Sequence, residues 1–293
     1  MINALTFDIE DYYQVEAFKD YITYEEWPNY PSRVVENTRK ITDILDERGV
    51  KATFFILGWV AERFPDMVKH IAEDGHEIAT HGYAHQMVYT QNEEEFERDI
   101  AASIGILESI SGQKIIGYRA PTYSIIEESF WALDILIKHG MLYDSSIFPI
   151  THDRYGVPDG ERFPYSIDRA DGKSIVEFPL STLRFFGKWN FPIAGGGYMR
   201  LLPYWSLKAG LRHLNKQQQP SIIYLHPWEL DPDQPRIPNL SLSIKFRHYL
   251  NLHNTAEKLR RLIRDFEFAP IRDVLKLGIS ATSSQTSSPG QAA

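Results

Sequence analysis

Short apolar runs alternate with amphipathic segments over most of the chain. The run Ala-Thr-Phe-Phe-Ile-Leu at 52–57 is typical of a buried strand. Just before it, one helical face is shared by Val34, Thr38, Ile41 and Leu45. Gly49 follows them, and we expect it to end this helix in a left-handed conformation. This alternation predicts an α/β fold with a parallel sheet, either a barrel or a doubly wound sheet.

Further elements continue the same alternation. Strands are predicted at Ala4–Phe7, His76–Ala79, Ile115–Tyr118, Met141–Tyr143 and Ile222–Leu225. Helices are predicted from about Pro65 to Gly75, after the capping patterns Thr90/Glu93 and Ser124/Glu127, near Pro203–Leu214 and over Thr255–Phe266. Between about 150 and 200 the chain is richer in Pro, Gly and aromatic residues, which favours loops and β-ribbons.

The composition is that of a globular protein with one substantial core. The chain has 293 residues, of which 43% are hydrophobic and 24% are charged. We predict a single domain over residues 1–277, in which about 230–277 form a C-terminal extension. The segment 278–293 is rich in Ser, Thr, Gly, Gln and Ala and has almost nothing to bury, so it is predicted to be disordered.

The charge balance and the absence of cysteine restrict the chemistry. The net charge is −8, so the chain has no electrostatic reason to bind nucleic acid. Without cysteine, any metal must be held by His, Asp or Glu. The first residues lack the features of a signal peptide, and no segment has the length of apolar sequence that a membrane helix needs. We therefore expect a cytoplasmic protein. No pattern in the sequence indicates an oligomeric state.

Candidate catalytic side chains follow the predicted strands, at the edge where parallel α/β folds carry their active sites. Asp8, Glu10 and Asp11 come directly after the first strand, and carboxylates this close repel one another unless a cation or a proton offsets their charge. His81 and His85 follow a later strand at a spacing that suits one divalent ion. A solvated turn and a buried structural histidine are the alternative interpretations.

Two further segments carry polar groups after a strand. Arg119 precedes a Pro-stiffened loop that runs to Tyr123, where an arginine can hold a carboxylate and the backbone can bind an oxyanion. His226, followed by a proline and Trp228, is placed to act as a general acid. Asp144 can hydrogen-bond a histidine. Each of these residues alone is explained as well by a structural role, but their common order after strands favours one site.

In this order the motifs resemble those of the polysaccharide deacetylases of carbohydrate esterase family 4. The resemblance runs from Thr6 to about Glu229 and rests on Thr6-Phe7-Asp8, Gly75–Ala79, His81–His85, Arg119–Tyr123, Asp144 and Leu225–Glu229. Within the family the chain is similar to members linked to bacterial exopolysaccharide loci of the exosortase type. That similarity rests on Gly195–Tyr198 and on the Pro-rich segment Pro227–Pro238.

The resemblance implies a distorted (β/α) barrel of about seven parallel strands. It implies a hydrolase that removes N-acetyl groups from a bacterial exopolysaccharide or its precursor. One divalent ion, usually zinc, with cobalt, nickel or manganese as alternatives, is then held by a carboxylate together with His81 and His85. In this comparison Asp8 is the general base, Arg119 orients Asp8, and His226 is the general acid that protonates the leaving amine.

The resemblance also implies roles for the surrounding residues. Asp144 supports His226, and a backbone N–H near Thr122 or Tyr123 stabilises the oxyanion. Tyr123 and Trp228 are the expected substrate-binding residues, because aromatic faces pack on the apolar faces of pyranose rings.

The sequence departs from the family pattern at two places. The family usually has two adjacent acids after Thr-Phe, of which the second binds metal, whereas Ile9 stands there in this chain. Glu10 is the preferred replacement, since some family members space the two acids by one residue, and Asp11 is the alternative. The motif that begins at Arg119 also has one residue more before Tyr123 than the common pattern.

Three other functions compete with this one. A related barrel could hydrolyse small or cyclic amides with the same metal. A glycoside hydrolase could use a carboxylate pair such as Glu10 and Glu77, which leaves the histidines without roles. A non-catalytic carbohydrate-binding relative is the third, and the presence of all the expected catalytic side chains ranks it below the enzymes.

Overall fold

The computed structural model describes residues 1–169 and 172–277. Its strands are β1 (Ile2–Ile9), β2 (Thr53–Ile56), β3 (Glu77–Thr80), β4 (Gly117–Tyr118), β5 (Tyr143–Asp144), β6 (Tyr165–Asp168), β7 (Ser174–Glu177), β8 (Thr182–Phe185), β9 (Trp189–Pro192), β10 (Ile222–Leu225) and β11 (Glu267–Ala269). Its helices are α1 (Val34–Asp46), α2 (Gly58–Arg63), α3 (Pro65–Glu73), α4 (Glu93–Ser111), α5 (Trp131–Lys138), α6 (Gly196–Leu201), α7 (Tyr204–Lys216), α8 (Leu242–Tyr249), α9 (Thr255–Asp265) and α10 (Ile271–Val274). The predicted tail, 278–293, lies outside the described residues.

The main sheet is almost entirely parallel. Its strand order is β10-β1-β2-β3-β4-β5-β7-β6, and every neighbouring pair from β10 to β7 is parallel. The edge strand β6 is antiparallel to β7, and β11 pairs in parallel with the start of β1. Strands β8 and β9 form a separate antiparallel hairpin. The predicted α/β class with a mostly parallel sheet is confirmed, while closure into a barrel stays a prediction.

Alternation along β1 divides its side chains between two cores. Leu5 and Phe7 pack with the helices in the larger cluster, whereas Ala4 belongs to an inner cluster that includes Phe55 of β2. Because successive residues of a strand point to opposite faces, Asp8 lies on the same face as Ala4. The first catalytic candidate is therefore directed into the inner space at the carboxyl end of β1.

The same alternation directs side chains from other strands to this place. Ala79 and Tyr224 belong to the inner cluster, and they precede His81 and His226 by two residues each. Both histidines follow the last residue of a parallel strand. Parallel neighbours end at the same edge of the sheet, so their terminal side chains meet there.

Two predicted helix starts were wrong in detail. Helix α4 is capped by Asn92, whose side chain accepts from the Glu95 amide at 2.9 Å while the Glu95 carboxylate accepts from the Asn92 amide at 3.0 Å. Thr90 instead ends a short 3₁₀ turn and donates its hydroxyl to the Met87 carbonyl. Ser124 caps no helix, because its hydroxyl donates to the Pro121 carbonyl. The same local spacing serves a turn as well as a cap.

The predicted left-handed conformation of Gly49 is confirmed, since it has a φ of +62° shortly after the end of α1. Within the described part of the chain, no helix combines the length and the apolar character that crossing a membrane demands.

His76 should control the acid stability of the fold. Its ring is fully buried against Phe54, its Nδ1 accepts from the Ala52 amide, and burial lowers its pKa from 6.5 to about 4. The neutral ring is thus the folded form, and its stabilising contribution is lost as the pH falls from about 6.5 towards 4. We expect protonation of His76 to lower the unfolding free energy by about 2–3 kcal/mol between pH 7 and about pH 4.5.

Urea unfolding at the two pH values measures this loss. In His76→Asn the amide oxygen can still accept from the Ala52 N–H but does not titrate, so the acid-induced loss should shrink by that amount. His70→Asn is the matched control, since the His70 side chain is 62% exposed. An equally steep loss in wild type and His76→Asn would contradict the assignment.

Candidate active site

Glu10, His81 and His85 converge at the carboxyl end of the sheet. One ligand atom from each lies within 4.8 Å of the others. Nδ1 of His81 donates to the Arg119 carbonyl at 2.7 Å, because a carbonyl can only accept. That bond leaves Nε2 of His81 with its lone pair, which is the tautomer a metal ligand needs.

The loop that carries the second histidine is held by backbone contacts. Gly82 has a φ of +74°, and a Cβ there would lie 2.9 Å from a carboxylate oxygen of Asp99. That carboxylate accepts from the Tyr83 amide at 2.9 Å, and the Gly82 carbonyl accepts from Gly58 N at 2.9 Å. The turn brings His85 back beside His81, with ring centroids 5.4 Å apart, so the pair converges without a helix.

Glu10 completes the cluster. Its Oε2 lies 2.9 Å from Nε2 of His85, and its Oε1 accepts from the indole N–H of Trp228 at 3.1 Å. Burial would raise the pKa of Glu10, but His85, His226 and His81 lower it to about 2. Its Oε2 is buried and has no well-aligned hydrogen-bond donor among the described residues. An unsatisfied carboxylate oxygen beside two imidazole nitrogens fits a divalent ion such as zinc.

Asp11 lies outside this cluster. Its carboxylate accepts from the Ser32 hydroxyl at 2.5 Å and from the Arg33 and Val34 amides at 2.9 and 3.2 Å. It therefore caps the start of α1, where an anion also interacts favourably with the helix dipole. As the neighbour of Glu10 in sequence, Asp11 points away from the histidines, and the alternative ligand assignment is not supported by its placement.

Asp8 and Arg119 form a buried ion pair. Nη1 of Arg119 donates to Oδ1 of Asp8 at 2.6 Å and to the Thr6 hydroxyl at 2.8 Å. The Arg119 Nε and Nη2 donate to the carbonyl and hydroxyl of Ser145. The predicted pairing of this arginine with Asp8 is thus present, and it leaves Oδ2 of Asp8 facing His226, whose Nε2 is 3.9 Å away.

His226 is supported by Glu229, not by Asp144. Nδ1 of His226 bonds Oε1 of Glu229 at 2.7 Å, and Nε of Arg200 donates to the other carboxylate oxygen at 2.7 Å. Burial would lower the pKa of His226, but Glu10, Glu229 and Asp8 raise it to about 9. This bond fixes the ring and leaves Nε2 directed towards the carboxylates of Asp8 and Glu10.

Asp144 belongs to a second buried network. It accepts from the Ser146 hydroxyl at 2.5 Å, and it interacts with Glu177 on the neighbouring strand. Burial raises the pKa of Asp144 to about 6 and that of Glu177 well above its usual range. Two adjacent carboxyls without a cation are stable only if they hold a proton between them. The predicted contact of Asp144 with His226 is therefore corrected.

An aromatic stack forms one wall of the cleft. Trp228 lies between His226 and His248, with ring centroids 5.2 Å and 4.2 Å apart and interplanar angles of 20° and 12°. Trp228 is only 6% exposed, so its ring supports the His226 ring more than it offers a surface to a ligand. The wall thus positions His226.

The opposite wall is a turn in an unusual conformation. Thr122 and Tyr123 have φ values of +55° and +54°, which non-glycine residues seldom adopt. The Tyr123 amide donates to the Ala120 carbonyl at 3.0 Å. Thr122 and Tyr123 both line the cleft, which has a volume of about 160 Å³.

Two members of the site were missed in the sequence. Glu229 stands three residues after His226, and its carboxylate also accepts from the His226 amide at 3.2 Å, so the spacing was a usable signal. Arg200 had no signal, because it comes from a distant helix. Its place depends on Gly196, where a Cβ would lie 2.0 Å from Glu229. The glycine lets α6 approach the carboxylate closely.

Adjacent acids give a sharp test of the metal ligands. We expect Glu10→Gln to weaken Zn²⁺ binding by about 100-fold or more, since even the loss of an outer partner costs 10- to 100-fold. Asp11→Asn is the matched control, which should keep its affinity and lose about 1–2 kcal/mol of unfolding free energy through its helix cap. Calorimetric titration of chelator-stripped protein measures both affinities. The opposite ranking would make Asp11 the ligand.

Two family models cover most of the chain. Residues 13–142 match the polysaccharide deacetylase model, and residues 145–276 match a model described as a domain of unknown function, DUF3473. Asp8 and His226 lie outside the first match. Strands from both segments belong to one sheet, in which β1, which precedes the first match, lies between β2 and β10.

Similar proteins match part of the chain. A peptidoglycan-N-acetylglucosamine deacetylase from Bacillus cereus is 38% identical over 114 residues, which are 39% of this chain and 40% of that protein. A chitooligosaccharide deacetylase from Rhizobium leguminosarum bv. trifolii is 29% identical over 126 residues, 39% of this chain and 56% of that protein. The chain thus spans about half the length of these relatives.

A solved structure shares the fold over nearly the whole length. It comes from Mycobacterium smegmatis and is classed with the polysaccharide deacetylases, with a TM-score of 0.63 at 22% identity. The superposition covers 94% of this chain and 89% of that one. Residues 13–142 are therefore similar to the polysaccharide deacetylase family, and the solved structure shows that the fold extends over nearly the whole chain.

Proposed function

We propose that the chain is a metal-dependent hydrolase that removes N-acetyl groups from a bacterial exopolysaccharide or its precursor. The observation that carries the proposal is the convergence of two sets of side chains on one cleft. The metal-ligand cluster of Glu10, His81 and His85 lines it together with Asp8 and His226. The names of the relatives that match part of the chain support N-acetylated glycans as the substrate class.

The donor set favours zinc. One carboxylate and two imidazoles are the ligands of many catalytic zinc sites, while cobalt, nickel and manganese accept the same donors. A divalent ion bound by Glu10, His81 and His85 would supply Lewis-acid polarisation of a water and of the acetamide carbonyl.

Asp8 is the proposed general base. Arg119 holds its Oδ1 at 2.6 Å, so the carboxylate cannot rotate away, and its Oδ2 remains directed into the cleft. A carboxylate in this place can accept the proton that water loses as it attacks the amide carbon. The hydrogen bonds of Arg119 to Asp8 and Thr6 thus fix the position of the proposed base.

His226 is the proposed general acid. Its Nδ1 is engaged by Glu229, so Nε2 is the atom that can deliver a proton to the leaving amine. Protonating this nitrogen converts a poor leaving group into a free sugar amine and completes the hydrolysis to acetate. For the developing oxyanion we assign the Thr122 amide as donor, since the Tyr123 amide already donates within the turn.

The geometry disfavours a glycoside hydrolase built on Glu10 and Glu77. Glu77 is the first residue of β3 and is level with Thr53 and Thr6 in the sheet, whereas Glu10 follows the end of β1. Four residues of strand separate the two levels by roughly 13 Å, which exceeds the separation of catalytic carboxylates in glycosidases. The Glu77 carboxylate also accepts hydrogen bonds from the hydroxyls of Thr53 and Tyr143.

Acetate release from N-acetylglucosamine oligomers is the first test. The purified protein should contain about one divalent ion per chain, and a chelator should abolish release. His81→Ala should lower kcat/KM by about 100-fold or more. His213→Ala on the exposed side of α7 should leave it unchanged. Release that survives both the chelator and His81→Ala would overturn the proposal.

The support of His226 gives a second test. Glu229→Gln cannot stabilise a charged imidazole, so we expect kcat to fall by about 100-fold, the lower range of acid–base catalysis. Asp144→Asn should keep kcat, because an amide can replace the shared proton beside Glu177. Both are measured below the melting temperature of Glu229→Gln, since that change also leaves Arg200 unpaired. A larger loss in Asp144→Asn would restore the sequence-based assignment.

A further inference from the structure

A groove continues from the catalytic cleft into the second half of the chain. Tyr155 lines both the catalytic cleft and the next depression, which also includes His152 and Pro158. His152 and Pro158 in turn line a third depression together with Trp189. Each depression thus shares lining residues with the next one. Together the three extend from the catalytic cleft to the β8–β9 hairpin.

An exposed aromatic residue of the β8–β9 hairpin, Trp189, lines the third depression. In the hairpin, Leu183 is opposite Phe191 and Phe185 is opposite Trp189, so these four side chains lie on one face. Leu183 lies beside Gly210 of α7, which anchors that face to the body of the protein. Trp189 is 73% exposed. A large aromatic surface that is open to solvent is unusual and marks a binding site more often than a packing site.

The polar residues of the same depression suit sugar hydroxyls. Asn190 is fixed, because its side chain donates to the Pro149 carbonyl at 2.7 Å and accepts from Arg184 at 3.0 Å. Asp159 and Lys188 line the depression beside Trp189. A tryptophan ring in one depression with hydrogen-bonding groups can bind the apolar face and the hydroxyl edge of a pyranose together.

We propose that Trp189 and its neighbours form a distal subsite for the glycan chain whose acetamide is hydrolysed in the catalytic cleft. This inference rests on the proposed function, because the depressions are linked to that cleft by the lining residues they share. The distal subsite lets the enzyme prefer long chains, since a unit bound there adds affinity that a short oligomer lacks. The hairpin lies within residues 145–276, so the second half of the chain would set the preference for chain length.

Chain-length dependence tests the subsite directly. We measure kcat/KM for acetate release from N-acetylglucosamine oligomers, from the dimer to the hexamer. Wild type should gain with length, and Trp189→Ala should lose roughly ten-fold on the longest oligomer while it converges with wild type on the dimer. The loss should appear in KM more than in kcat.

Trp205→Ala is the matched control. Trp205 is 72% exposed, close to the 73% of Trp189, but it lines a different depression on α7. It should keep the wild-type length dependence. Equal behaviour of the two variants, or a wild type without length dependence, would overturn the subsite.

Binding separates this inference from the proposed function. If no acetate is released, calorimetric titration with the hexamer still decides: weaker binding in Trp189→Ala alone supports the subsite, and no binding to wild type refutes it. If Trp189→Ala changes only co-sedimentation with anionic phospholipid vesicles, the exposed aromatic residues serve a membrane surface and the glycan subsite is refuted.

Discussion

The buried guanidinium of Arg119 is the interaction on which the site depends. It has no exposed surface, and its three nitrogens bond Asp8, Thr6 and Ser145. Its carbonyl also accepts from His81, so one residue fixes the proposed base and one proposed metal ligand. A buried charge is tolerated only when it is paired and hydrogen-bonded, and here four hydrogen bonds, one of them to Asp8, meet that demand. Replacing Arg119 would remove the ion-pair partner of Asp8 in the interior.

Around this pair, the fold keeps two kinds of buried carboxylate apart. Glu10 and Glu229 lie among histidines and an arginine, which lower their pKa values. For Asp144 and Glu177, burial outweighs the neighbouring hydrogen-bond donors and the more distant Arg119, so their pKa values are raised. In their charged forms, Glu10 can therefore act as a metal ligand and Glu229 can support His226. The second pair is structural, and it packs behind Arg119 through the neighbouring serines.

The two halves of the chain meet at this place. β10 from the second half pairs with β1, and that pairing brings His226 to Asp8. The glycine contact of α6 with Glu229 adds Arg200 from the same half. The first half thus supplies the proposed base and metal ligands, while the second supplies the proposed acid. A cleft built in this way needs both halves of the chain folded together.

The α/β class, most of the strands and the candidate site residues could be predicted from the sequence. Alternation along a strand and the position of polar groups after it are local properties of the sequence. Asp8, His81, Arg119 and His226 could therefore be predicted as candidate site residues. Tertiary structure alone decided which carboxylate joins the histidines and which one supports His226. Adjacent acids look alike in sequence, and only the turn of the backbone sends Glu10 inwards and Asp11 to α1. In the same way, Glu229 contacts His226 whereas Asp144 contacts Ser146 and Glu177. These tertiary contacts cannot be predicted from a local sequence pattern.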